Sequence, residues 1–409
     1  MKQVLFIIAF ALISSALGAQ PDLEKQIQTQ LILAEDGATI ELPAAKITLT
    51  GTLSLDAKKR ITIRGAGQDK TVLSFKNQKQ GAEGLKITNA ENIVLQDFTI
   101  EDSKGDLIKT QQVRGIVFRN ITARWTGKPS KNNGSYALYP VQCSQVTIEN
   151  CTAIGASDAG IYVGQSDSVW VRNCTARHNV AGIEIENTTH AWVSDNTATE
   201  NTGGILVFDL PDLPKSAGGQ VQVFRNHIFK NNYRNFAPKG NIVGTVPPGT
   251  GVMILATRGV EVFENQILDN RTASCAVISY KLLDIPIKDK NYNPYPAAIA
   301  VHDNKFSSGK RWPTLRSPFG KLFLLKFGRR TPHILWDGIQ DPAQIGTDGT
   351  LKPAFKICVR DNENGTFANL RAEHKFKKIN RDLAPHNCTL AAGGEQDPTE
   401  QPSVKKRNP

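Results

Sequence analysis

Two glutamates, Glu184 and Glu186, stand two residues apart in the segment "GIEIENT". On an extended strand such a pair faces one side, about 6.6 Å apart. Three readings stay open for them. They could be the acid/base pair of an inverting glycosidase, which holds its carboxyls ~6.5–9.5 Å apart. They could hold Ca²⁺ with Asp209 and backbone oxygens, or they could be ordinary solvated charges. Lys86, Lys109, Tyr139 and Tyr162 occupy the same alternating position in earlier segments. Lysines pair with carboxylates, and tyrosines stack on sugar faces and exchange protons. The tyrosines could equally be cross-strand packing, and the lysines ordinary charges on a solvated strand. A neighbouring polar position holds Gln142, Gln165, Asn187 and Asp209, whose side chains suit sugar hydroxyls. Trp170 and Trp192, on a different strand position, offer a sugar platform or a surface for an insertion to cover.

What could place these residues on one line is a repeat. Residues 84–306 align on themselves with a unit of 22 or 23 residues plus insertions. One apolar column reads Ile93, Ile116, Val146, Val169, Ala191, Val221, Val260, Ile299, and a second begins at Leu95 two residues on. A third ends in Asn196, Asn226, Asn265 and Asn304, which predicts an internal ladder of stacked amides. Apolar residues alternate, and no helical pattern separates the strands. Like strands therefore stack on like strands at about 4.8 Å, giving an all-β, right-handed parallel β-helix solenoid. Gly160, Gly182 and Gly204 fall in register, and the strand after each alternates inward and outward. Leu23, Ile27 and Leu31 have helical spacing and predict an N-terminal cap. The longest insertions, 210–219, 230–250 and 280–297, would rise as walls beside the outward Tyr–Glu strip.

The entering segment "DGATIELPAAKITLTGTLSL", then "ITIRGAG" and "TVLSF", together with the rung columns, resembles the right-handed parallel β-helix (pectin-lyase-like) superfamily. Pectate lyases, polygalacturonases, mannuronan C5-epimerases and NosD-type periplasmic proteins belong to it. "GGILVFDLP" at 203–211 and the late "ICVRDN" resemble exported bacterial β-helix proteins. The resemblance covers residues 35–306 and implies a fold rather than a reaction. Several catalytic signatures of those enzymes are missing: no Asn-Thr-Asp, Gly-His-Gly, Arg-Ile-Lys or Asp-Pro-His-Asp occurs. Two functions follow as expectations. One is an enzyme that binds and modifies an acidic polysaccharide as lyase, epimerase or hydrolase. The other, implied by the NosD-type likeness, is a non-catalytic periplasmic scaffold or assembly protein.

Charge and termini add bounds. The net charge is +11, concentrated in Lys310, Arg311, Arg316, Lys321, Lys326, Arg329 and Arg330, with no acid over 307–333. So local a basicity argues against a nucleic-acid binder and suggests an envelope protein partner for 307–333. Within it, "KLFLLKF" at 321–327 could seat on a membrane or a partner, or be a strand or short helix that closes the solenoid. Residues 1–19 read as a bacterial-style secretory signal, which predicts a periplasmic or secreted protein without a transmembrane segment. The predicted layout is 20–306 as capped β-helix, 307–390 as a basic closing region and 391–409 as a disordered tail. Among six cysteines, Cys358 and Cys388 are the candidates for a disulfide, and Cys151 and Cys174 for buried thiols.

Overall fold

The computed structural model describes residues 20–307 and 312–390. The expected signal and tail lie outside them. The chain winds as a right-handed coil of stacked rungs, and the strands form one 19-stranded and one 11-stranded sheet. Every strand pairing in both is parallel, as in the register of Val146 with Ile116 and Val169. The predicted apolar columns are the buried interior of this coil: Ile93, Ile116, Val146, Val169, Ala191, Val221, Val260 and Ile299 are all at most 1% exposed.

The Asn ladder runs inside the coil. Asn226 Nδ2 donates to Asn265 Oδ1 at 2.9 Å and to Val193 O at 2.8 Å, while its own Oδ1 accepts from the Asn196 backbone at 2.9 Å. The column runs on to Asn362, beyond the repeats seen in the sequence. A second ladder, Asn179–Asn201–Asn231–Asn270, lies at another corner. It explains the glycines in register. A Cβ on Gly160, Gly182 or Gly204 would sit 2.6–2.9 Å from the Nδ2 of Asn179, Asn201 or Asn231.

Both ends are built to stop the stack. Helix α1 (Gln20–Leu33) buries Ile27 and Leu31 on the first coil. Gln28 then pairs with the edge like an extra strand residue, donating to Ser54 O and accepting from Ser54 N at 3.0 and 2.8 Å. After residue 306 the coil continues. Ile334–Trp336 and Phe367–Asn369 extend the 11-stranded sheet and Ile357–Arg360 the 19-stranded one. The interruption by 308–333 hides these rungs from a search for even spacing. Cys358 and Cys388 form a disulfide. Cys143, Cys151, Cys174 and Cys275 are buried thiols. Helix α2 (Pro318–Phe327) starts at Ser317, whose hydroxyl accepts from Gly320 N, and ends at Gly328.

Candidate functional site

The outward strip of the 11-stranded sheet is a continuous line in register. Lys86 lies opposite Lys109, Lys109 opposite Tyr139, Tyr162 opposite Glu184, and Glu184 opposite Leu206. It then continues as Met253, Ala276, Leu335 and Ala368. The line divides into an open half and a covered half.

The covered half corrects the expectation of a solvated groove. Tyr162, Glu184 and Glu186 are 4%, 1% and 7% exposed. The insertions do not stand as walls; they fold over the strip and bury it in a second apolar layer with Phe236, Val243, Val246, Tyr280 and Tyr292. Each insertion is tied down by a specific contact. Asn241 Nδ2 donates to Asp158 Oδ2 at 2.8 Å across 83 residues. The Tyr292 hydroxyl donates to Asp209 O. Asn187, expected to meet sugar, is fully buried and brackets loop 210–219, donating to Leu210 O and Lys215 O and accepting from Leu210 N. Asp209 is buried as well. Asn89, Gln112, Gln142, Gln165 and Asn187 share a left-handed backbone, with φ between 44° and 57°. This polar column marks a corner of the coil; its asparagines suit that conformation because a short polar side chain can bond to the local backbone. Gln142 and Gln165 remain half-buried and lie within a file of amides, in which Gln111 Nε2 donates to Gln142 Oε1 at 3.2 Å.

Beneath the cover lies a cluster of acids that the sequence columns only half revealed. Glu184 has no hydrogen-bond partner on either carboxyl oxygen. Burial first, then Asp158 and Glu186, push its proton affinity well above the carboxylate range. The Tyr162 hydroxyl donates to Glu186 Oε1. Burial raises Glu186 to about 7 against that hydrogen bond. Asp158, similarly buried, is raised to about 7. Asp209 is raised to about 6, again by burial. At neutral pH much of the cluster therefore holds protons. Asp158 and Asn241 escaped the sequence reading because the first precedes its strand and the second sits in an insertion. Among the described residues no three His, Cys, Asp or Glu side chains gather into a set able to hold a metal ion.

The open half is a shelf. Lys86, Lys109, Tyr136 and Tyr139 are half-buried. Tyr136, Tyr139 and Tyr162 pack ring against ring, with centroids 4.4–5.0 Å apart. Lys109 Nζ lies 5.0 Å from the Tyr139 ring centroid. Half-buried Asp106 accepts from the Tyr136 backbone at 3.0 Å, and burial raises its carboxyl to about 6. Burial also raises the Tyr136 and Tyr139 hydroxyls, so both keep their protons. Tyr136 was missed because it sits three residues before Tyr139, at the start of the strand and outside that column. The shelf thus sets two ammonium groups and the Tyr139 phenol on one line, with Tyr136 and the Asp106 carboxyl beside it. That arrangement can hold an anion while moving a proton.

Trp170 and Trp192 lie on the 19-stranded sheet, away from this shelf. Their rings are half-buried and stacked, with centroids 4.7 Å apart and planes 15° apart. Each thus spends one face on the other. His190 is exposed beside Asp167, at 2.8 Å, without a metal set around it.

The sequence matches the family model of the right handed beta helix region over residues 61–212 and again over 130–285. No curated protein matches it. Among solved structures it is similar to the A-module of the Azotobacter vinelandii mannuronan C-5 epimerase AlgE6, at 14% identity. That match covers 84% of this chain and 90% of the other, with a TM-score of 0.50. The A-module of AlgE4 from the same organism matches at 14% identity over 86% of this chain and 91% of the other, with a TM-score of 0.47. The periplasmic alginate epimerase AlgG matches at 13% identity over 70% and 77%, with a TM-score of 0.42. At these identities the likeness speaks for the fold alone.

Proposed function

The chain belongs to the right-handed β-helix family, and from that premise we propose that it binds an acidic polysaccharide along the shelf Lys86–Lys109–Tyr139, outside the cytoplasm. The observation that carries this reading is the stacking of Lys86 directly on Lys109. Like charges in facing strand positions repel, and an anion laid across them removes the cost. A chain of uronates also fits a line of sites one rung apart. Tyr136 and Tyr139 would stack on sugar faces, and Gln142 and Gln165 lie near enough in sequence register to meet hydroxyls at the corner.

The same shelf suits proton transfer at a uronate. Lys109 would neutralise the sugar carboxylate, making its C5 hydrogen more acidic. Asp106, with a carboxyl near 6, would accept the C5 proton; a protonated Tyr136 or Tyr139 would give its proton either to O4 as the C4–O4 bond breaks and a C4–C5 double bond forms, or back to C5 from the opposite face. This is elimination or epimerisation chemistry. Hydrolysis by Glu184 and Glu186 is disfavoured, because both side chains are buried beneath the insertions.

A non-catalytic scaffold is the second reading, and one observation favours it: the strongest acid cluster is sealed beneath 230–250. Calorimetric titration with polymannuronate, polyguluronate, polygalacturonate and neutral glucan separates the two, when read alongside ultraviolet absorbance of unsaturated uronates and the proton NMR signature of C5 inversion. Binding to at least one polyuronate, weakened about fivefold or more by Lys109→Ala, is expected; the one ammonium–carboxylate contact removed is worth about 1 kcal/mol or more. Equal affinity for neutral glucan would refute the proposal. Binding without either chemical change would leave the scaffold.

A further inference from the structure

Helix α2 packs one face inward. Phe323 and Gly320 are buried, and Phe319, Leu322 and Phe327 press on the second apolar layer over the 11-stranded sheet. That accounts for the apolar residues of "KLFLLKF" except for those on the other side. Leu325 is 81% exposed, more than any other large apolar side chain among the described residues. Trp312 and Leu315 in the segment leading into the helix are 45% and 48% exposed. The Arg329 guanidinium lies over the Trp312 ring, 4.6 Å from its centroid, so the leading segment returns beside the end of the helix. Lys321 and Leu325 are four residues apart and share the outward face.

The charges around these apolar groups have one sign. Arg316, Lys321, Lys326, Arg329 and Arg330 are all exposed, and none of them has a carboxylate within ion-pair distance among the described residues. No acidic residue occurs over 307–333. Elsewhere the coil pairs its cations as it goes, with Arg119 and Arg172 on Glu149, Arg124 on Glu101, and Arg225 on Asp195. A single exposed leucine means little. Three large apolar side chains within one short segment, ringed by unpaired cations, are a different case.

We propose that α2 and residues 312–317 form a docking face for the surface of an anionic lipid bilayer. Leu325, Leu315 and Trp312 enter the headgroup boundary, and the basic ring meets lipid phosphates. No helix is long and apolar enough to cross a membrane, and α2, at 10 residues, would lie in the interface plane. The observations favour lipid over an acidic protein. The apolar groups are knobs on a convex helix rather than a groove, and the charge is uniform rather than patterned. A polysaccharide would gain nothing from Leu325.

The test uses the purified full chain with large vesicles of phosphatidylcholine alone or mixed equally with phosphatidylglycerol. Binding is followed by co-sedimentation and by tryptophan emission. Partition into the anionic vesicles should be at least about tenfold stronger at low salt and fall as salt rises. Leu325→Gln, at a site too exposed to disturb folding, should lower it about tenfold, with the far-ultraviolet circular dichroism unchanged. Lys326→Ala with Arg329→Ala should lower it also. Three outcomes overturn the proposal: no partition, equal partition into both vesicles, or salt-sensitive partition that Leu325→Gln leaves intact. In the last case, because Leu325→Gln keeps the charge unchanged, charge alone acts, and an acidic protein becomes the better partner.

Discussion

Replacing Glu184 by leucine should make the protein more stable, by an amount that grows with pH. The side chain is 1% exposed, and neither carboxyl oxygen has a partner. An unsatisfied buried polar group costs about 1–3 kcal/mol. Leucine is one heavy atom smaller, but Leu206 already fills the next position of the column, so the void should cost no more than ~1 kcal/mol. The net gain at mildly acidic pH is then about 1–2 kcal/mol. The pH dependence sharpens the test. Unfolded, Glu184 ionises at its ordinary 4.5; folded, burial and its acidic neighbours hold the proton on well above that. Between those limits the unfolded chain releases a proton that the folded one keeps. Rising pH therefore favours unfolding, at about 1.4 kcal/mol per pH unit. The variant lacks this term, so its advantage should widen over that window. Urea unfolding followed by circular dichroism at pH 5, 6, 7 and 8 measures the gap directly. A gap that stays constant with pH, or a variant less stable than the parent, would show that Glu184 is ionised and paired, and the account of the buried cluster would fail.

Two further predictions concern the coil and its acids. Asn226→Leu removes amide bonds to Asn265 and Val193 and strands the Asn196 backbone donor; the loss should be about 3 kcal/mol or more by denaturation, and a loss below 1 kcal/mol would show the ladder to be ornamental. Asp158 and Glu186, each raised to about 7 from 3.8 and 4.5, should make the parent protein lose stability as pH rises from about 5 to 7. Asp158→Asn should flatten that slope by up to about 1.4 kcal/mol per unit, as read from urea midpoints across the window.

The rungs were legible because inward positions obey a strict rule. Ile116, Val146 and Val169 must be apolar, and Asn196, Asn226 and Asn265 must pair, whatever lies outside. The second ladder was equally written in the spacing of Asn179, Asn201, Asn231 and Asn270, but it sits at a corner and outside the strand columns. The fate of Glu184 was not legible. Whether an outward residue meets water depends on where the insertions fold, and Asn241 reaches Asp158 across 83 residues with no periodicity to announce it. Asn187 misled for a related reason: its polarity serves a left-handed corner and a loop bracket, and the same side chain would suit a sugar equally well. The late rungs at Ile334, Ile357 and Phe367 were hidden by the length of chain between them.

The two files of asparagine have a consequence for how such a stem can change over time. Adjacent Asn residues in the first file are 30, 39, 39 and 58 positions apart along the chain, from Asn196 to Asn362, yet they meet at the same 2.9–3.0 Å. The amides act as pegs that reset the pitch after every excursion. Whole loops can therefore be lengthened, trimmed or exchanged between pegs without the neighbouring coils losing alignment, and the covering of the shelf is free to diversify while the stem beneath it stays unaltered.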